Sequence, residues 1–179
     1  DSVAAAMRTL AGYIDDLVAA SASSETSVVN RLSGFETKLR LLINYFEKEP
    51  IGCNYYTAID PAIETKNVND FTAIVTIAVD HTNNIYVVEV MNKRMLPSEL
   101  IDRIFEVHKR FNPQVIGIET VGFQKMIKLE LDRERRDRGI YPIIKDLKAG
   151  GRRKSVRIEA MQPRFEAGKV FIKKEMNVL

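Results

Sequence analysis

The first fifty residues carry a helical pattern. Val3, Met7, Leu10, Ile14 and Leu17 recur at steps of four and three, which sets them on one face of a helix. The polar stretch SASSETS at Ser21–Ser27 breaks the pattern. Val28, Leu32, Phe35, Leu39, Leu42 and Phe46 then resume it. Ser33-Gly34 interrupts or restarts this second helix, with Glu36 placed to complete a capping box. The spacing predicts a helical hairpin over residues 1–50, and Glu49-Pro50-Ile51-Gly52 marks the boundary to a second region, 51–179.

Beyond that boundary the pattern becomes strand-like. Tyr55–Asp60 is an apolar run closed by a carboxylate and stopped by Pro61. Glu64–Asp70 is a polar loop. The β-branched run Thr72–Asp80 predicts a second strand, HTNN at His81–Asn84 a turn, and Ile85–Val90 a third strand. Such short connections favour antiparallel neighbours. Pro97-Ser98-Glu99 opens a helix whose Leu100, Ile104, Val107 and Phe111 share a face, and Asn112-Pro113 stops it. Val115–Glu119 is a fourth strand, reached by a crossover that favours parallel pairing. A charged helix over Gly122–Arg138 ends at Gly139, and Ile140–Ile144 follows as an edge strand containing Pro142. The basic glycine loop KAGGRRK at Lys148–Lys154 leads to a helix over Ser155–Ala167 that must bend or break at Pro163. Val170–Ile172 closes the series. Together these elements predict an α/β fold: a mixed sheet of five to six strands flanked by helices, with an N-terminal helical hairpin.

Composition narrows the functional classes. The 179 residues are 45% hydrophobic and 28% charged, a balance that supports a packed core. No apolar run approaches the ~20 residues needed to cross a bilayer, so no membrane partner is expected. The start of the chain lacks the basic and apolar parts of a signal peptide. One cysteine, Cys53, excludes an intramolecular disulfide and a Cys-rich zinc site, and favours a reducing, cytoplasmic setting. With two separated histidines, His81 and His108, a His-based zinc site is disfavoured as well. The net charge of +3 conceals a gradient: Lys145–Lys174 holds ten basic and three acidic residues. Clustered positive charge suits a polyanion such as nucleic acid.

The candidate chemistry sits at strand ends. A carboxylate at the end of a buried strand is costly unless a metal ion, a helix N-terminus or an arginine compensates it. If the strands over Tyr55–Asp60 and Val115–Glu119 are neighbours, Asp60 and Glu119 meet at their carboxyl ends. Two adjacent carboxylates either share a proton or share a cation. Oxygen-only donors point to Mg2+ or Mn2+, ions that promote phosphodiester hydrolysis. Asp70 could join only if its loop folds back, and Asp80 reads as a turn former. Cys53 reads as a small buried residue, and the histidines carry no assigned role. In the KAGGRRK loop, Gly150 and Gly151 permit close backbone approach. Lys148, Arg152, Arg153 and Lys154 could line a phosphate backbone there. No nucleotide-binding GxxxxGK[ST] motif occurs.

Several segments, taken in order, resemble the nuclease domain of the tailed-phage terminase large subunit, a member of the RNase H-like (resolvase-like) superfamily. They are AIDPA at Ala58–Ala62, NDFTAIVTIAVD at Asn69–Asp80, NIYVVEV at Asn84–Val90, LPSELID at Leu96–Asp102, NPQVIGIETVGFQ at Asn112–Gln124 and RFEAGKVFI at Arg164–Ile172. The resemblance implies an RNase H-like fold and a metal-dependent DNA endonuclease that cleaves concatemeric double-stranded DNA during genome packaging. It implies Asp60 and Glu119 as catalytic metal ligands, Asp70 as an accessory position, and two ions in a complete site. By the same likeness, partners would be double-stranded DNA and the terminase motor, small terminase subunit or portal, in the cytoplasm of a host cell. The family's third acid, an Asp on a helix beyond the RFEAGKVFI-like segment, has no counterpart up to Leu179; Glu159 or Glu166 could substitute. Two other readings stand beside this one: a catalytically incomplete DNA- or protein-binding module, and a junction-resolvase-like nuclease.

Overall fold

A computed structural model describes residues 44–61, 71–119, 124–147 and 160–176, without the side chains of 124–127. Seven strands, three α-helices and a closing 3-10 turn at Lys174–Met176 make up this part: β1 (Asn44–Phe46), β2 (Asn54–Asp60), β3 (Thr72–Val79), β4 (Ile85–Lys93), α1 (Pro97–Phe111), β5 (Val115–Glu119), α2 (Gln124–Arg138), β6 (Ile144–Leu147), α3 (Gln162–Glu166) and β7 (Val170–Lys173). They form one mixed sheet in the order β1-β7-β4-β3-β2-β5-β6. β3 pairs antiparallel with β2 and β4, and every other pairing in the sheet is parallel. All strands except β3 therefore point their carboxyl ends to the same edge.

Strand alternation splits the core into two layers. Ile59, Ile74, Ala78, Ile116 and Ile118 face α1 and Leu131 of α2. Ala58, Val75, Ile77, Val87 and Val170 face Met161 and Phe165 on the other side. α1 buries the predicted stripe of Leu100, Ile104, Val107 and Phe111, together with Ile101 and Phe105. At its start the Leu96 N–H donates to the Glu99 carboxylate at 2.6 Å. At its end Asn112 turns left-handed, with φ 45°. Glu89 of β4 is held by Arg103 at 2.9 Å and Arg110 at 2.7 Å, which ties the sheet to that helix. Gly139 ends α2 with φ 62°, as predicted.

Several expectations need correction. Asn44–Phe46 is an edge strand beside β7, although Phe46 fits the helical stepping; its ring packs edge-on against Tyr86 at 5.5 Å. Residues 1–43 of the predicted hairpin lie outside the described residues, and residues 47–50 are irregular rather than helical. The sheet has seven strands rather than five or six. The strand expected over Ile140–Ile144 is instead Ile144–Leu147, because the Ile140 N–H closes the end of α2 on the Arg135 carbonyl and Pro142 has no N–H to give. β4 runs past Val90 to Lys93, since Thr72–Val75 of β3 supplies it with partners. Of the helix expected over Ser155–Ala167, residues 155–159 lie outside the described residues, and Pro163 lies in the first turn of α3, where its missing N–H costs nothing.

Asp80 fulfils its expected role in the β3–β4 turn. Its carboxylate accepts hydrogen bonds from the Thr82 and Asn84 N–H groups at 2.8 and 2.9 Å, the Thr82 hydroxyl, the Asn84 amide and the Tyr86 hydroxyl. Desolvation by itself raises the carboxyl pKa; the bonds from Asn84 and Thr82 outweigh it and hold the group far below the usual carboxylate range. A depressed folded value stabilises the fold above the unfolded value of 3.8 and is lost as pH falls through the folded one. Asp80→Asn is therefore expected to lower the melting temperature at pH 7, with the gap to the parent narrowing below pH ~4. A gap that stays constant across an acid titration series contradicts this account.

Candidate active site

β2 reads NYYTAID, and its buried core Thr57–Ile59 emerges at a half-buried Asp60. β5 reads VIGIE and ends likewise at a half-buried Glu119. Their register pairs Ala58 with Gly117 and Ile59 with Ile118. Asp60 and Glu119 are therefore the next residues on two parallel neighbours, about 4.8 Å apart across the ladder. By alternation both belong to the face of Ala58 and Gly117, opposite the α1 layer. Gly117 is required there: a Cβ at this position would lie 2.7 Å from the Leu147 side chain, whose backbone pairs with Glu119. Close packing of β6 on β5 thus fixes the strand that carries the second acid.

Of the three ways to compensate Asp60, no arginine or lysine among the described residues pairs with it. Two adjacent oxygen donors and no cation on Asp60 fit a divalent ion. Among the described residues no cluster of three or more His, Cys, Asp or Glu side chains forms.

The other sequence-derived residues fall in three groups. Asp70, Glu159 and the loop residues Lys148, Gly150, Gly151, Arg152, Arg153 and Lys154 lie outside the described residues. Glu166 is exposed, accepts a hydrogen bond from Gln162 at 2.7 Å and precedes β7. Val170 opens β7 beside Ile85, the first residue of β4, so Glu166 lies at the sheet edge opposite Asp60 and does not complete the pair. Asp80 and His81 share that opposite edge, and His108 lies in the last turn of α1. Cys53 is half-buried rather than fully buried; desolvation first, and then the charge of Asp80, push its thiol pKa up and keep it unreactive.

Sequence reasoning missed the end of β4. Asn92 pairs with Ala73, which pairs with Asp60, so the three form a row across the sheet on one face. The Asn92 side-chain oxygen is buried without a hydrogen-bond partner. Lys93 and Arg94 follow it, both exposed. Polarity hid this stretch, because period-two alternation fades where a strand reaches solvent.

A mixed sheet of this order, with paired acids at the carboxyl ends of adjacent parallel strands, defines an RNase H-like α/β fold. Among solved structures it superposes on terminase nuclease domains. The large terminase nuclease from thermophilic phage G20c matches with a TM-score of 0.53 and 17% identity, over 77% of this chain and 73% of that one. The same nuclease with bound zinc gives 0.52 and 18%, over 77% and 80%. The HK97 bacteriophage large terminase gives 0.50 and 10%, over 75% of this chain and 33% of that longer one. At these identities the likeness is one of fold. No protein-family model and no curated protein matches the sequence.

Proposed function

We propose that the chain is a divalent-metal-dependent DNA endonuclease domain of a viral genome-packaging terminase large subunit. The observation that carries this reading is the pairing of β2 with β5, which brings Asp60 and Glu119 together at one sheet edge. In a bound state Mg2+ or Mn2+ supplies Lewis-acid activation of water and charge compensation at the phosphodiester. Asp60 and Glu119 hold that charge in place, and the rigid β2–β5 ladder fixes their separation. Asp70 is proposed as an accessory ligand, and Lys148–Lys154 as a contact to double-stranded DNA. The chain continues directly from Leu147, at the acidic edge of the sheet, into that loop. The motor, small subunit and portal are the proposed protein partners, in the cytoplasm of a host cell.

The donor pair favours a second reading as well: a catalytically incomplete domain that binds DNA without cutting it. Nicking of supercoiled plasmid separates the two. The nuclease reading expects nicked and linear product with Mn2+ and none with EDTA. Salt-sensitive binding with no cleavage at any Mn2+ or Mg2+ concentration supports the incomplete module. Absence of both activities overturns both readings, and preference for branched over linear duplex indicates a junction-resolvase-like nuclease.

A further inference from the structure

We propose that Lys93 and Arg94, at the carboxyl end of β4, form a phosphate clamp that holds the DNA backbone beside Asp60 and Glu119. The inference rests on the DNA-nuclease reading and adds a contact separate from the Lys148–Lys154 loop. Placement is the first argument. Asp60 pairs with Ala73 and Ala73 with Asn92, so Lys93 and Arg94 stand one and two residues beyond the level of Asp60; by alternation Arg94 continues the Asp60 face, and Lys93, paired with Thr72, starts from the α1 face of that edge. Two strand spacings separate β4 from β2, about 10 Å across the sheet. That distance suits a contact to a phosphate next to the one being cleaved, rather than to the reacting group.

Charge is the second argument. Arg103 and Arg110 of α1 and Arg133, Arg135 and Arg138 of α2 all pair with carboxylates. Among the described residues no carboxylate pairs with Lys93 or Arg94. Two acids at a sheet edge repel a polyanion, and exposed cations beside them offset that repulsion as the backbone approaches. Lys145 of β6, also exposed and without a carboxylate partner among the described residues, lies on the other flank of the acid pair.

The third argument is the setting of Arg94. Its guanidinium carbon lies 5.0 Å from the centre of the Phe71 ring, immediately before β3. Phe71 is 49% exposed, so the ring serves as a surface platform rather than a core side chain. Stacking on a ring orients a guanidinium without using its N–H groups, whereas an ion pair consumes them. A guanidinium held in this way keeps its donor fork for a phosphate.

Fluorescence anisotropy with a labelled linear duplex, in EDTA across a salt series, tests the clamp independently of cleavage. The double variant Lys93→Gln/Arg94→Gln is expected to melt with the parent. Its log K against log[salt] slope should be shallower by about 2, near 0.9 for each phosphate that is no longer neutralised. The control Lys109→Gln/Arg136→Gln removes two exposed cations from the last turns of α1 and α2, where no role in DNA binding is assigned, and should keep the parental slope. Parental binding with an unchanged slope in Lys93→Gln/Arg94→Gln, or an equal change in the control, overturns the clamp alone. Absence of duplex binding by the parent overturns the clamp together with the DNA reading.

Discussion

Asp60→Asn is expected to slow Mn2+-dependent plasmid cleavage by at least about 100-fold, beyond the 10–100-fold typical of groups that only support a metal ligand. Asparagine keeps the shape and hydrogen-bonding reach of the side chain and removes only the charge. Glu119→Gln should fall equally far. The double variant should lose little more than either single one, because two ligands of one ion act as a unit. Stability moves the other way. Adjacent carboxylates without a divalent ion repel, so Asp60→Asn should melt no lower than the parent in EDTA. Slow cleavage together with a lower melting temperature would point to a folding defect, and parental cleavage by Asp60→Asn would remove this residue from the site.

The second large effect lies in the packing that holds the site. Ile104 is fully buried at the centre of the α1 face, against the sheet layer that includes Ile59 and Ile118. Each of those isoleucines directly precedes one of the paired acids in sequence. Ile104→Ala should cost about 2–5 kcal/mol, combining lost transfer energy with a residual cavity. That is a large part of the roughly 5–15 kcal/mol that stabilises an ordinary domain. Urea unfolding should show a lower midpoint with an unchanged slope. A loss under about 1 kcal/mol would mean that α1 does not pack on the sheet as described.

Both variants act on features that were legible in the sequence to different degrees. β2 and β5 could be read because each is a short apolar run that ends in an acid, and α1 because its apolar stripe is bracketed by Pro97 and Asn112-Pro113. The adjacency of Asp60 and Glu119 could be stated only as a condition. Strand order is a long-range pairing, and periodicity reports local geometry alone. β1 escaped notice because three residues show no period, and Phe46 also fits a helical step. β6 is displaced because a helix end and Pro142 consume or lack the N–H groups that a ladder needs. The Asn92–Arg94 stretch was invisible for a related reason: at a sheet edge, polar residues continue the strand without any hydrophobic signature. Its position in register with Asp60 appears only once β4 is paired.

Asp60 and Glu119 are proposed to hold a divalent ion jointly. Calorimetric titration of Mn2+ into the parent, Asp60→Asn and Glu119→Gln, without DNA, tests it most directly. Saturable binding by the parent, weakened at least about 10–100-fold in each variant, is the predicted result. Variants that bind Mn2+ as the parent does would contradict it.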